Sequence, residues 1–267
     1  MTDLTIDAGG VALSGEEAGE GTPVVLLHGL TATRRYVVMG SKNLERDGHR
    51  VISYDARGHG RSAPADDYGY GSLAADLLAV LDDREIDRAV LAGASMGAHT
   101  LLRFAAERPS RAAALVLITP AYDPDTGPGG LERWDALSEG LRTGGVDGFI
   151  EAYGEPKVPD AWRETVRTVL RQRLSAHEHP DAVADALREV PRSRPVSSWD
   201  AVRGLDLPVT VVASRDEADP EHPLAVGERY AAEIPGAELL TEEPGKSPVA
   251  WQGGQLSRVI AETGRRA

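Results

Sequence analysis

The stretch Ala89-Val90-Leu91-Ala92-Gly93-Ala94-Ser95-Met96-Gly97 decides the fold. Its first half is an apolar run typical of a buried strand, and the residues after it carry apolar side chains at helical spacing. A serine with glycine two positions before and after it, at a turn from strand into helix, is raised above the sheet with its hydroxyl exposed. The turn is tight and needs small residues, and the helix N-terminus behind the serine favours negative charge. The pattern predicts that Ser95 is a nucleophile.

Short apolar runs alternate with helical patterns along most of the chain. Runs typical of strands occur at 4–7, 11–15, 24–27, 51–54, 89–91, 114–118 and 209–213. Helical patterns occur at about 35–46, after Ser72 as a helix cap, at 101–105, and at 224–234 and 256–261. This alternation predicts an α/β fold with a mostly parallel sheet, opened by an antiparallel pair of strands.

The segment from about residue 121 to residue 202 differs in composition and pattern from the rest of the chain. It opens with a linker rich in proline and glycine and then shows helical patterns at 131–141, 146–153, 162–174 and 180–189. We interpret residues 121–202 as a helical insertion that sits on the sheet rather than as an independent domain. Residues 1–120 and 203–267 would then form the core.

Composition excludes several classes of protein. The 267 residues include 29 Lys+Arg against 42 Asp+Glu, a formal net charge of −13 that disfavours nucleic acid as a partner. The absence of cysteine excludes disulfides, thiolate nucleophiles and cysteine-ligated metals. The polar start Met1-Thr2-Asp3-Leu4-Thr5 lacks the pattern of a signal peptide, and no apolar stretch approaches the length of a membrane span. We therefore expect a soluble cytoplasmic protein.

Several motifs beside the serine turn resemble the α/β-hydrolase superfamily, over nearly the whole chain. His28-Gly29 resembles the oxyanion loop of that family, and Asp55-Ala56-Arg57-Gly58-His59-Gly60-Arg61-Ser62 resembles one of its structural turns. The resemblance implies an α/β-hydrolase fold with a mostly parallel sheet of the eight-stranded type. It also implies that residues 121–202 form a cap over the substrate pocket, and that the backbone amides of Leu30 and Met96 form the oxyanion hole.

The resemblance fails at the histidine that the family uses as base. Val209 to Asp216 resembles the strand and loop that carry the triad acid, which implies Asp216 in that role. After the last strand the family carries a Gly-His segment, but here Lys246 occupies the histidine position and no histidine follows His222. A nearby carboxylate favours the charged form of a lysine. We therefore expect an ion pair between Asp216 and Lys246, and weak hydrolysis by the standard route.

Three interpretations of the base remain open. In the first, Lys246 is the base, deprotonated by desolvation under the cap. In the second, a histidine from elsewhere replaces it, with His222 favoured because it lies at the carboxyl edge of the sheet. The other candidates of that kind are His99, His177 and His179. In the third, Ser95 is not a triad nucleophile, and the oxyanion amides and a cationic Lys246 hold an anionic ligand.

The motifs together predict a serine hydrolase with a degenerate triad of Ser95, Asp216 and Lys246. Its expected substrate is a small, largely apolar carboxylic ester, lactone or thioester. The alternatives are a catalytically degenerate member of the superfamily that binds a small ligand or a partner, and a cofactor-free lyase or isomerase. Fold and function are separate predictions, because one fold hosts many activities.

The expected partner is a small molecule under the cap, with no nucleic acid and no membrane involved, and the chain is expected to be a monomer or homodimer. We expect no cofactor and no metal. The short segment His177-Glu178-His179 is the nearest approach to a metal-binding pattern.

Overall fold

The computed structural model describes residues 1–127, 129–246 and 251–267. Eight strands follow one another along the chain: β1 (Thr2–Asp7), β2 (Ala12–Ala18), β3 (Thr22–Leu27), β4 (His49–Tyr54), β5 (Ala89–Ala94), β6 (Ala112–Ile118), β7 (Val209–Ala213) and β8 (Glu238–Thr241). The helices are α1 (Asn43–Arg46), α2 (Tyr70–Asp83), α3 (Met96–Glu107), α4 (Leu131–Tyr153), α5 (Asp160–Leu174), α6 (Pro180–Glu189), α7 (Trp199–Arg203), α8 (Leu224–Glu233) and α9 (Gly253–Gly264).

The strands form a single eight-stranded sheet in the order β1-β2-β4-β3-β5-β6-β7-β8. β2 pairs antiparallel with β1 and with β4, and every other neighbouring pair is parallel. The central strands β3, β5, β6 and β7 are apolar and almost fully buried, as expected for parallel strands covered by helices on both faces. The predicted fold class is confirmed, including the antiparallel start.

The register of the central strands aligns their carboxyl ends. Leu27 lies opposite Gly93, Ala94 lies opposite Ile118, and Ile118 lies opposite Val212. The loops that leave β3, β5 and β7 therefore start from one edge of the sheet, where ligands bind in folds of this kind.

Two local predictions were wrong. The segment 35–46 is not one helix: it holds a single 3₁₀ turn at Arg34–Tyr36 and the four-residue α1. Met39 and Gly40 have φ angles of 48° and 74°, in the left-handed region, and this interrupts a right-handed helix. Ser72 does not cap α2, which starts at Tyr70, and its hydroxyl instead binds the Asp67 carboxylate.

The helices α4, α5 and α6 lie between β6 and β7 and share one apolar cluster with residues of the sheet edge. The cluster joins Phe149 and Leu187 of these helices to Leu30 and Met96, the residues on either side of the Ser95 turn. The short α7 packs against α3 and α8 instead. The insertion is thus in direct contact with the edge that carries Ser95.

None of the helices in the described ranges combines the length and the apolarity that a membrane crossing requires.

Candidate active site

Ser95 occupies a strained turn between β5 and α3. Its φ and ψ angles are 49° and −109°, a conformation that L-residues rarely adopt and that is typical of functional sites. The turn depends on its two glycines. A Cβ on Gly93 would lie 2.4 Å from the carbonyl carbon of Gly97, and one on Gly97 would lie 2.3 Å from the carbonyl oxygen of Leu27. The predicted sharp turn is therefore enforced by close backbone packing.

The loop after β3 runs beside this turn. A Cβ on Gly29 would be 3.5 Å from the Cβ of Ser95, so the backbone of the loop passes close to the serine. His28 fixes the loop, since its Nε2 accepts a hydrogen bond from the Ala56 amide at 2.9 Å while its Nδ1 contacts the carbonyl oxygen of Gly29 at 2.8 Å. Burial lowers the pKa of His28 to about 3, so the ring is neutral and structural.

The two predicted oxyanion amides belong to the residue after Ser95 and to the loop that passes close to it. Met96 is the first residue of α3, so its amide has no acceptor within the helix. Leu30 follows Gly29 in the loop, and its carbonyl oxygen is 2.7 Å from Nε2 of His59. This contact fixes the orientation of the Leu30 backbone at the sheet edge. The role of both amides as an oxyanion hole stays a prediction.

His222 contacts the serine directly. Its Nε2 lies 2.9 Å from Oγ of Ser95, and its Nδ1 lies 2.8 Å from Oδ2 of Asp219. The carboxylate can only accept, so Nδ1 carries a proton and donates to Asp219, which leaves Nε2 free to accept the serine hydroxyl proton. Serine, imidazole and carboxylate form a continuous hydrogen-bonded chain, the arrangement used by serine hydrolases.

His222 and Asp219 each shift the pKa of the other in the direction that favours the charged form. Burial lowers the pKa of His222, but the charge and hydrogen bond of Asp219 outweigh burial and leave it above 6.5. Burial likewise raises the pKa of Asp219, yet the His222 interaction and the Glu221 amide leave it below its usual range. Asp219 is therefore ionised at neutral pH and stabilises the imidazolium form of His222.

The loop between β7 and α8, residues 214–223, holds both Asp219 and His222, and we call it the β7 loop. The Ala218 and Asp219 amides donate to the Arg215 carbonyl oxygen at 2.8 and 2.9 Å, which closes a turn. The Arg215 amide donates to Oε1 of Glu242 at 2.7 Å. From the insertion, Arg133 of α4 binds both carboxylate oxygens of Glu221, the residue before His222.

The structure does not bring Asp216 and Lys246 together. Asp216 is exposed and its Oδ1 accepts the Leu224 amide at 2.8 Å, so it caps the start of α8. Lys246 is exposed, and within the ranges 1–127, 129–246 and 251–267 no carboxylate lies within ion-pair distance of it. The expected ion pair is therefore absent. The reason is local: the β7 loop turns back on itself after Arg215, and this turn directs Asp219 rather than Asp216 toward the serine.

His99 was the second histidine considered as a base, and its hydrogen bonds place it in another role. Its Nε2 accepts the amides of Ala121 and Tyr122 at 3.0 and 3.1 Å, and its Nδ1 contacts the Tyr70 hydroxyl at 3.0 Å. Burial lowers the pKa of His99 to about 3. With both nitrogens engaged, His99 holds the start of the insertion against α3.

His177 and His179, the last two candidates, lie away from the serine. Nδ1 of His177 accepts the Gly60 amide at 2.9 Å and its Nε2 is 3.3 Å from the carbonyl oxygen of Thr31. Its ring packs on His59, which packs on His28, with centroid distances of 5.5 and 5.2 Å. Burial lowers the pKa of His177 to about 3, so this histidine column joins the insertion to the sheet as neutral rings. His179 precedes the first residue of α6.

The sheet, the glycine-flanked serine turn and the adjacent loop define an α/β-hydrolase-fold protein. A family model described as alpha/beta hydrolase fold matches residues 22–201, and the chain belongs to this family.

Relatives in the family include hydrolases and non-heme haloperoxidases. The chain is 29% identical over 202 residues to a putative carbamate hydrolase of Variovorax paradoxus, covering 74% of this chain and 75% of the relative. Among solved structures, a thermophilic esterase from Thermogutta terrifontis superposes with a TM-score of 0.81 at 27% identity, covering 99% and 98% of the two chains. Est816, described as an N-acyl homoserine lactone degrading enzyme, has a TM-score of 0.73 at 25% identity, with 97% of each chain covered. Several further curated relatives are matched over only about half of their length.

Asp219 is the residue of the site that sequence reasoning missed. A signal was present, since Asp219 precedes His222 by three residues in a loop at the carboxyl edge of the sheet. An acid and a base at that spacing meet when the loop forms a single turn, and the His222 amide does donate to the Asp219 carbonyl oxygen at 3.2 Å. Comparison with the family pattern by position alone favoured Asp216 and Lys246 instead.

Proposed function

We propose that the chain is a serine hydrolase of small carboxylic esters, lactones or thioesters, and that Ser95, His222 and Asp219 form its triad. The observation that carries this proposal is the pair of contacts at His222, 2.9 Å to Oγ of Ser95 and 2.8 Å to Asp219. Relatives named as an esterase and as a lactone-degrading enzyme support the ester class. The triad predicted from the sequence, Ser95, Asp216 and Lys246, lacks comparable support, because Lys246 is exposed and Asp216 caps α8.

In the proposed reaction, Nε2 of His222 accepts the proton of the Ser95 hydroxyl as Oγ attacks the carbonyl carbon of the substrate. The resulting oxyanion accepts hydrogen bonds from the Leu30 and Met96 amides. The tetrahedral intermediate collapses to an acyl-serine, and His222 gives its proton to the departing alkoxide or thiolate. Water, deprotonated by His222, then attacks the acyl group and releases the acid.

Asp219 does not lose or gain a proton in this scheme. It holds the His222 ring with Nε2 toward the serine and stabilises the imidazolium that forms in each half-reaction. The substrate would lie between the sheet edge and α4–α6, and the scheme uses only residues of this chain. The partner is accordingly a small molecule.

The experiment is fluorophosphonate labelling followed by intact mass, combined with hydrolysis of p-nitrophenyl valerate. Wild type and Lys246→Ala should label once and hydrolyse the ester at similar rates. Ser95→Ala should not label, and both Ser95→Ala and His222→Asn should lose about 10³-fold or more in kcat.

Other outcomes would contradict the proposal in distinct ways. Loss of labelling in Lys246→Ala with retention in His222→Asn would restore Lys246 as the base. A folded wild type that neither labels nor hydrolyses any ester would favour the ligand-binding alternative. Turnover without a hydrolysis product would favour a lyase or isomerase.

A further inference from the structure

Arg173 is a half-buried cation for which the described residues supply no carboxylate partner. It lies in the last turn of α5, and within the three described ranges of the chain no carboxylate lies within 4.0 Å of its guanidinium. Its Nε is inaccessible to solvent and has no hydrogen-bond acceptor among the described residues. The other arginines of α4, α5 and α6 each form an ion pair: Arg133, Arg142, Arg163, Arg167, Arg171 and Arg188.

The guanidinium of Arg173 lies against the segment that follows the oxyanion loop. Its guanidinium carbon stands 5.3 Å from the ring centroid of Tyr36, in the 3₁₀ turn that follows the oxyanion loop. Its positive charge also influences two residues of the β7 loop. It lowers the pKa of Asp219 and opposes the rise in the pKa of His222. Arg173 thus borders the segment after β3, and its charge reaches the pair formed by His222 and Asp219.

The position of Arg173 is fixed from the core side. The Ala176 amide donates to the Arg173 carbonyl oxygen at 3.2 Å, and His177, one turn further on, contacts Gly60 and Thr31. Thr31 directly follows Leu30, whose amide is a proposed oxyanion donor. The end of α5 is therefore anchored to the same loop that borders Ser95.

A charged arginine in such a place is costly unless an anion offsets it. An arginine keeps its proton in proteins, and a guanidinium N–H that is removed from water without an acceptor is unfavourable. Burial lowers the pKa of Arg173, as the balance of its neighbours does not compensate for desolvation. Asp219 does not neutralise it, because that carboxylate is bound to His222. The guanidinium fork matches a carboxylate in geometry and charge.

We propose that Arg173 binds a carboxylate of the substrate, so that the preferred substrates are esters, lactones or thioesters that carry a second, ionised carboxyl group. This inference rests on the proposed hydrolase function and narrows its substrate class from a largely apolar ester to an anionic one. Arg173 takes no part in proton transfer; it is a specificity-determining residue, and the Tyr36 ring supports its guanidinium.

The test compares matched anionic and neutral esters. p-Nitrophenyl hemiglutarate and p-nitrophenyl valerate differ by a carboxylate on the acyl group, and 4-carboxyphenyl and 4-carbamoylphenyl valerate differ by one on the leaving group. Rates are corrected with those of Ser95→Ala. In wild type, kcat/KM should favour the anionic member of at least one pair by about ten- to hundredfold, the range for a charged hydrogen-bonded pair.

Arg173→Met should abolish that preference, and Arg173→Lys should retain part of it. Arg171→Met removes an exposed arginine of the same helix and should leave the preference unchanged. Removing Arg173 also changes the field at His222, but that change affects both members of a pair and cancels in their ratio. Equal loss for anionic and neutral esters in Arg173→Met, or a wild type that prefers the neutral member of both pairs, would overturn the inference.

A binding measurement separates this inference from the proposed function. Calorimetry on Ser95→Ala with monomethyl glutarate and methyl valerate requires no turnover. Tighter binding of monomethyl glutarate by about tenfold or more, lost in Ser95→Ala/Arg173→Met, would support the anion site even if the chain hydrolyses no ester. Equal affinities for the two esters would overturn it, while turnover of the neutral esters through Ser95 would leave the proposed function intact.

Discussion

The serine turn after β5 and the β7 loop supply the two halves of the proposed catalytic chain, and they are built in opposite ways. Ser95 is held by backbone: Gly93 and Gly97 pack so closely that a Cβ on either would overlap main-chain atoms. The β7 loop is held by side chains, with Glu242 on its first turn and Arg133 on Glu221. One half is fixed by local sterics and the other by contacts that arrive from distant parts of the chain.

This difference predicts which properties of the protein a substitution in each region should change. A change in the serine turn should disturb folding as well as activity, because the strain is stored in the backbone between β5 and α3. A change in the β7 loop should disturb activity and its pH dependence while the sheet stays intact, because the loop packs at the edge of the fold.

The largest expected effect comes from Asp219. Asp219→Asn should lower kcat by about 10³-fold, because the amide no longer stabilises the imidazolium and allows the unproductive tautomer of His222. Asp216→Asn is the matched control three residues away and should stay within about twofold of wild type, since its side-chain oxygen can still cap α8. Steady-state kinetics with p-nitrophenyl valerate measure kcat for both variants. A larger loss of kcat in Asp216→Asn than in Asp219→Asn would instead make Asp216 the triad acid, as the family pattern suggested.

The next prediction concerns the serine turn, which backbone contacts hold in place. Gly97→Ala places a methyl group 2.3 Å from the Leu27 carbonyl oxygen and should cost about 3 kcal/mol of folding free energy, at the upper end for overpacking. Chemical denaturation of the two proteins measures this loss. Gly71→Ala is the control, as its Cβ would meet nothing within 4 Å in α2 and alanine favours helix. Equal stability of Gly97→Ala and wild type would mean that the turn is not sterically fixed.

The smallest effect concerns the contact between the insertion and the β7 loop. Arg133→Met removes the ion pair with Glu221 and should lower kcat/KM by about tenfold through a looser His222, as small displacements of a base are costly. The acid limb of kcat/KM should have its midpoint above 6.5 in wild type, because Asp219 raises the pKa of His222. It should move further up in Arg133→Met, since Glu221 then acts on His222 without compensation. An unchanged limb would show that Arg133 is structural only.

The sequence predicted the parts of the site that depend on local backbone geometry. Ser95 and its flanking glycines follow from a strand, turn and helix pattern, and the loop at Leu30 follows from the resemblance of His28-Gly29 to the family. Sequence could not predict which acid of the β7 loop faces the serine, because Asp216 and Asp219 differ only in how the turn after Arg215 closes. That closure depends on Glu242, a residue 27 positions away, whose carboxylate accepts the Arg215 amide.

The failed helix at 35–46 has a similar origin. Its apolar residues have helical spacing, but the left-handed angles at Met39 and Gly40 turn the chain toward α9, where a Cβ on Gly253 would collide with the Val38 carbonyl oxygen. Close packing between segments far apart in sequence decides such positions. Lys246 shows the limit of alignment by position: it stands where a histidine is expected, yet the histidine that contacts Ser95 comes from the β7 loop.

The histidine column has a consequence for the conditions in which this protein can persist. His28 and His177 keep their pKa near 3 in the folded chain but return to about 6.5 when the chain unfolds. Unfolding therefore takes up protons at any pH between these values, and each ring removes up to about 1.4 kcal/mol of stability per pH unit as acidity rises. Because these rings lie where the insertion meets the sheet, acidification below about pH 6.5 should weaken that contact and lower the free energy of unfolding, which denaturant titrations at pH 7 and pH 5 would measure.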